Sequence, residues 1–390
     1  MGWSVLTQAT ARFNEARSIL SKLYWRRRRS GRTYQGFVKA SSSWVTEALH
    51  TLWRQLQKKL IVRMQQATRW ADWTVLVADG SHFDAPRTRS NEKTLEHVGV
   101  EKTRPQWGVT LLMHLPTGLL WDWRQGRAID SERGQLRDML DELPEKTLLL
   151  ADAGFTGFDL MQELDRRGVT FLIRCGSNTT LLVEDACTKI EGVRGKKRVY
   201  LWPKNSRGQS PLELRLIVFK HRRQRVCLLT NVLEAHILTR SMAGDLYRAR
   251  WGVEIGYREL KQSLDRRQLK TRSAQSGETE LAGSIIAWAL LRLQACLLMG
   301  RRMFRLSMAM ALRVQRRVLE SVRFGCPTGW FASQMRQALR DDYQRKRPKK
   351  ARNWPHKKKS SPPGTPPLRT LTSYESMRIQ AFKNSLAKTG

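Results

Sequence analysis

Two short apolar runs, each closed by a carboxylate, constrain this chain most. They are Trp73-Thr-Val-Leu-Val-Ala-Asp79 and Thr147-Leu-Leu-Leu-Ala-Asp152. Neither carries a helical period, and both are short and nearly continuous, which fits strands buried on both faces. Around them the pattern alternates. Trp107 to Leu115 and Leu119 to Arg124 flank a Pro116-Thr117-Gly118 turn and predict a hairpin. Ser131 to Leu143 reads as a helix closed by Pro144. Phe158 to Arg167 reads as another, stopped by Gly168, with a strand from Val169 to Ile173. A hairpin followed by strand-helix-strand units predicts an α/β fold, a mixed sheet covered by helices.

The flanks divide the 390 residues further. Residues 1–68 read as helical, with Trp44, Ala48, Leu49, Leu52, Trp53, Leu56 and Leu60 at helical spacing and Ser43 as N-cap. The run Arg26 to Arg29 beside Tyr24 and Trp25 suits contact with DNA. Residues 69–175 form the first part of the core, 176–243 a β-rich insertion, and 244–275 a return to the core by a helix. The insertion strands are Thr180 to Val183, Arg198 to Trp202, Leu212 to Val218 and Arg225 to Thr230. Apolar helices fill 276–340. A basic, Pro-rich tail, 341–390, is expected to be extended or disordered until bound.

Lys and Arg outnumber Asp and Glu 71 to 34, a formal net charge of +37. Such a field attracts a polyanion and releases counterions on binding it, so nucleic acid is the first partner class. The apolar stretch from Gly283 to Gly300 is broken by Arg292 and reads as a buried helix, with no membrane partner. Five cysteines without a C-x2-C pair argue against structural zinc and against a disulfide framework. The Met1 end has no secretion-signal pattern, so a cytoplasmic setting is expected.

The segment Leu246 to Lys261 carries the most specific pattern, Y-x2-R-x3-E-x6-K, formed by Tyr247, Arg250, Glu254 and Lys261. At about 100° per residue these four side chains fall within about 60° of one another on a single helix. The two cations and the phenol suit phosphate, and the carboxylate suits a metal. Asp79, Asp152 and Glu254 are hard oxygen donors of the kind that bind Mg²⁺ or Mn²⁺. Two such ions can run an in-line phosphoryl displacement. His82, near Asp79, reads as a solvated loop residue.

The motifs Asp79-Gly-Ser and Leu150-Ala-Asp152-Ala-Gly-Phe, with the Tyr247, Arg250, Glu254 and Lys261 spacing, resemble the DDE transposases of bacterial insertion sequences, in particular the insertion-sequence-four family. The resemblance runs from about Trp73 to Ser273 and includes the helix from Ser131-Glu132 ahead of the second Asp. It implies an RNase H-like core, two Mg²⁺ ions (Mn²⁺ can substitute) and Asp79, Asp152 and Glu254 as catalytic ligands. It implies that Tyr247, Arg250 and Lys261 hold phosphates at the transposon end. Arg258 joins this DNA-binding set, and Trp202 is the candidate to stack on a flipped base. The implied activity is cutting at terminal inverted repeats and joining 3′ ends to target DNA. The implied partners are double-stranded DNA and a second copy of the chain in a synaptic complex at the bacterial nucleoid. Ala153 departs from the basic residue many members carry there. A nuclease or recombinase of the same fold, and a decayed DNA-binding protein, remain open alternatives.

Overall fold

The computed structural model describes residues 45–66, 70, 72–96, 104–185, 190, 197–221, 224–300, 305–324, 329–340 and 363–389. In chain order the elements are α1 (Val45–Gln65), β1 (Thr74–Asp84), α2 (Arg89–Leu95), β2 (Gln106–His114), β3 (Leu119–Arg127), α3 (Glu132–Arg137) and β4 (Thr147–Ala151). Then come α4 (Phe158–Arg166), β5 (Thr170–Cys175), β6 (Leu181–Val183), β7 (Lys197–Leu201), β8 (Leu212–His221) and β9 (Gln224–Thr230). They are followed by α5 (Arg240–Ala249), α6 (Gly252–Arg258), α7 (Ala274–Met299), α8 (Met308–Arg323), α9 (Phe331–Arg336), β10 (Leu368–Thr370) and α10 (Ser373–Thr389). The α/β class expected from the sequence is the class observed. The expected Ser43 cap and the basic run at Arg26 to Arg29 lie outside the described residues.

The described residues fall into two compact units. One collects those within Met1–Thr68, Gly80–Ser131 and Gly252–Gln344; the other collects those within Arg69–Asp79, Glu132–Trp251 and Arg345–Gly390.

The first unit is built on the antiparallel β2–β3 hairpin, which runs from Trp107↔Arg127 to His114↔Leu119. Helix α1 lies against it. The Trp53 indole donates to Asp122 Oδ1 at 3.3 Å, and its ring meets Trp123 edge-on at 4.5 Å. Gln57 donates to the Trp121 carbonyl at 3.0 Å. The end of the N-terminal region is thus part of this core.

Helix α7 is apolar and long enough to cross a membrane by length and composition, yet most of it is buried within the protein. Its one mid-helix charge is satisfied inside. Arg292 donates to Glu259 Oε2 at 2.5 Å and to the Gly118 carbonyl at 2.8 Å. Trp288 donates to the same Glu259 oxygen at 2.9 Å, and Arg340 reaches Glu259 Oε1 at 3.3 Å. A buried carboxylate with three donors avoids the penalty of an unpaired charge.

The second unit holds an extended mixed sheet in the order β10-β6-β7-β8-β9-β5-β4-β1. Strands β1, β4 and β5 are mutually parallel, whereas β9, β8, β7 and β6 add on antiparallel. The β-rich insertion therefore extends the core sheet through the β5–β9 edge. The combination of parallel and antiparallel strands is the mixed sheet that the sequence predicted.

The end of the tail differs from expectation, because residues 363–389 are folded. Strand β10 runs parallel to β6, and Glu375 at the start of α10 pairs with Arg207 and Arg369, each at 2.7 Å. The Arg369 hydrogen bond leads in holding the Glu375 carboxyl down to about 2. Lys383 donates to the Tyr200 hydroxyl at 2.9 Å. The basic run from Arg345 to Lys359 lies outside the described residues.

At the hairpin turn, His114 is buried, with Nδ1 2.9 Å from Thr117 Oγ1. Burial pushes its pKa down to about 4. The imidazole is neutral in the fold and charges in the unfolded chain below about 6.5. Its contribution is therefore complete above that value and is lost as pH falls towards about 4. Denaturant titrations between pH 7 and 5 should lose about 2 kcal/mol from this group. His114→Asn should flatten that part of the curve, and an unchanged slope would contradict the assignment.

Candidate active site

The parallel β1–β4 pairing sets the site. Its register runs Thr74↔Thr147, Val75↔Leu148, Leu76↔Leu149 and Val77↔Leu150. Continued two residues past its last pair, this register would bring Asp79 opposite Asp152, just beyond the end of β4. Side chains alternate along a strand, so both carboxylates would then leave the same face, on backbones about 5 Å apart. The sequence expectation of Asp79 at a strand end needs correction, because β1 continues through Gly80 and Ser81 to Asp84. What ends near Asp79 is its pairing partner, since β4 stops at Ala151.

Asp152 caps the 3₁₀ turn Ala153–Phe155, and its Oδ1 accepts from the Gly154 N–H at 2.8 Å. A Cβ at Gly154 would lie 3.0 Å from that same oxygen and 3.5 Å from Glu132 Oε2. The turn is braced by α3, where Arg133 Nε donates to the Gly154 carbonyl at 3.0 Å. Glu132 and Arg133 carried no signal of their own in the sequence beyond the helix that contains them.

Arg250 Nη1 stands 3.9 Å from Asp79 Oδ1, and both side chains are close to nine-tenths buried. The guanidinium also lies over the Tyr247 ring at 5.4 Å, and Tyr247 meets Phe219 of β8 edge-on at 6.3 Å. An aromatic stack thus aims a fixed cation at the first carboxylate.

The single helical stripe expected from Tyr247 to Lys261 is corrected. Helix α5 ends at Ala249, a turn covers Arg250 and Trp251, and α6 begins at Gly252. Beyond Arg258 the chain widens into a π-helical turn, Glu259–Ser263, closed by the Leu264 N–H on the Glu259 carbonyl at 3.0 Å. A wide turn changes the rotation per residue, so the spacing arithmetic for Lys261 does not hold.

Glu254 lies half-buried in the first turn of α6. That helix is anchored to β2 by the Tyr257 hydroxyl, which donates to the Val109 carbonyl at 2.9 Å and accepts from the Leu111 N–H at 3.1 Å. Gly256 allows the close approach, because a Cβ there would meet Trp288 at 3.0 Å. Lys261 donates to Ser81 Oγ at 2.7 Å and sits 5.0 Å from the Phe83 ring centre. The Asp79-Gly80-Ser81 motif therefore supplies the Lys261 anchor as well as a carboxylate.

Among the described residues, no group of three or more His, Cys, Asp or Glu lies close enough together to hold a metal ion. The paired strands β1 and β4 lead towards Asp79 and Asp152. Two carboxylates form a hard-oxygen donor set that suits a divalent cation such as Mg²⁺. Arg258 is exposed at the end of α6. Trp202 is buried. Its N–H donates to the Ser206 and Gln209 carbonyls at 3.1 and 2.9 Å, and Arg207 covers its ring at 4.4 Å. His82 is a strand residue whose Nε2 lies 3.2 Å from the Ala128 carbonyl, not a solvated loop residue.

The family model for the transposase DDE domain matches residues 70–290, more than half the chain. The chain belongs to the DDE transposases. It is 28% identical over 240 residues to the transposase InsG for insertion sequence element IS4 of Escherichia coli (strain K12). That match covers 58% of this transposase and 53% of the relative, so the chain spans about half the length of the curated relative it matches. A piggyBac transposase, solved by cryo-EM in a synaptic complex with hairpin DNA, aligns with a TM-score of 0.40 at 12% identity. That alignment covers 77% of this chain and 57% of that one. DDE transposases as a family are divalent-metal enzymes that act on DNA.

Gly154→Ala tests the carboxylate geometry. The added methyl should displace Asp152 and lower metal-dependent DNA cleavage by ~10-fold or more, since misplacement of about 1 Å is costly in rate. The thermal midpoint should stay close to that of the unaltered protein. Full cleavage by this variant would show that Asp152 needs no such support.

Proposed function

We propose that this transposase cuts DNA at the terminal inverted repeats of an insertion sequence and joins the 3′ ends to target DNA. The single observation that supports the reading is the parallel β1–β4 pairing, whose register leads towards Asp79 and Asp152, with the Arg250 guanidinium beside Asp79. Asp79, Asp152 and Glu254 would hold two Mg²⁺ ions, or Mn²⁺ in their place. When bound, such ions supply Lewis-acid activation of the attacking and departing oxygens.

The chain's own residues do the rest. Arg250 neutralises the carboxylate edge and offers a planar fork to a phosphate. Tyr247 keeps that fork aimed and adds a hydroxyl donor. Lys261, held by Ser81, brings a point charge, and exposed Arg258 extends the cationic track. Trp202 would need Arg207 to leave its face before it could stack on a base. Two copies would pair two DNA ends in a synaptic complex at the nucleoid. The net charge of +37 supports a polyanionic partner.

Purified protein should cut a supercoiled donor plasmid carrying the terminal repeats only with Mg²⁺ or Mn²⁺. With pre-cleaved ends and a supercoiled target it should yield strand-transfer products. Asp79→Ala should abolish both reactions while end binding persists. Lys261→Ala should weaken cleavage ~10- to 100-fold through loss of DNA placement, with metal binding kept. Cutting without joining would point to a nuclease, and metal-independent cutting would overturn the site assignment.

A further inference from the structure

The same register reaches one strand further. Strand β4 pairs parallel with β5 through Leu148↔Thr170, Leu149↔Phe171, Leu150↔Leu172 and Ala151↔Ile173. Val77, Leu150 and Leu172 are therefore level across three adjacent parallel strands. Continued two residues beyond these pairs, past the end of β4, the same register would set Asp79, Asp152 and Arg174 level. By strand alternation all three side chains would then leave the same face.

Arg174 is a half-buried guanidinium with no hydrogen-bond acceptor among the described residues, and its Nε is buried. A cation ordinarily finds an acceptor when it leaves water. Arg250, by comparison, stands beside Asp79. Arg174 is held in place from behind. Its carbonyl accepts from Thr156 Oγ1 at 2.6 Å, so its strand is tied to the turn that follows Asp152. A cation on an anchored strand, without an acceptor among the described residues and one strand from Asp152, is arranged to receive an anion at the carboxylate edge.

We propose that Arg174 binds a phosphodiester oxygen of the DNA strand that lies across Asp79 and Asp152. It complements Arg250, which stands at the Asp79 side of the same edge. A guanidinium suits this task because its planar fork can take two phosphate oxygens at once. The proposal rests on the reading of Asp79 and Asp152 as the cutting site.

The test uses the full chain and a labelled duplex that carries the terminal repeat read from the DNA beside its coding region. Arg174→Gln and Arg174→Lys are compared with the unaltered protein for binding over a range of salt. Cleavage is measured on duplexes bearing one uncharged methylphosphonate at successive positions around the cut. Arg174→Gln is expected to lower the slope of log affinity against log salt by about one, the mark of one lost phosphate contact. Cleavage should fall ~10-fold or more at an unchanged thermal midpoint, with partial recovery in Arg174→Lys. At one methylphosphonate position the variant and the unaltered protein should cleave alike.

An unchanged salt slope in both variants would overturn the proposal. So would defects that multiply at every methylphosphonate position. If the unaltered protein binds the duplex but never cuts it, the proposed function fails, while the salt slope still decides the Arg174 contact.

Discussion

The structure depends on one pairing, the parallel alignment of β1 with β4. Both strands are apolar because they are covered on both faces, and their register is fixed by burial, since a slip of one residue would turn every side chain to the wrong face. Continued two residues, that same register leads to two carboxylates, Asp79 and Asp152. Like charges brought close repel, and the local structure answers with specific partners. Arg250 stands beside Asp79, and the Gly154 N–H satisfies one oxygen of Asp152. Without an imposed sheet, nothing in the chain would hold these two acids together.

A second device serves the cationic side. The π-helical turn that carries Lys261 opens at Glu259, and Glu259 is the buried hub for Trp288, Arg292 and Arg340. A wide helical turn is intrinsically less stable than an α-helical one. Here its first residue is locked by charge-assisted hydrogen bonds, and Lys261 is delivered to Ser81. The apolar helix α7 thereby does more than fill a core, because its single arginine braces the turn on which a motif residue stands.

Much of this was legible in the sequence. The strands Leu181–Val183, Lys197–Leu201, Leu212–His221 and Gln224–Thr230 fall where alternation and turn residues predicted them. Burial of α7 followed from the interruption by Arg292. Other features were not legible, for physical reasons. The break at Arg250 and Trp251 leaves no Pro behind it, so a periodic pattern runs straight through it. The π turn depends on Glu259 meeting residues 29 to 81 positions away, which no local window contains. The folded end of the tail depends on Arg207 and β6, far from Glu375 in sequence. The role of Arg174 depends on register alone, and register exists only once the strands are paired.

The pair Asp79 and Asp152 can be tested without DNA by measuring Mn²⁺ binding with electron paramagnetic resonance in a double-mutant cycle. Asp79→Asn and Asp152→Asn should each weaken binding, and the double variant should be little worse than either alone, because the two carboxylates act on a shared ion. Fully additive losses, or binding that survives both changes, would contradict a common site at the β1–β4 edge.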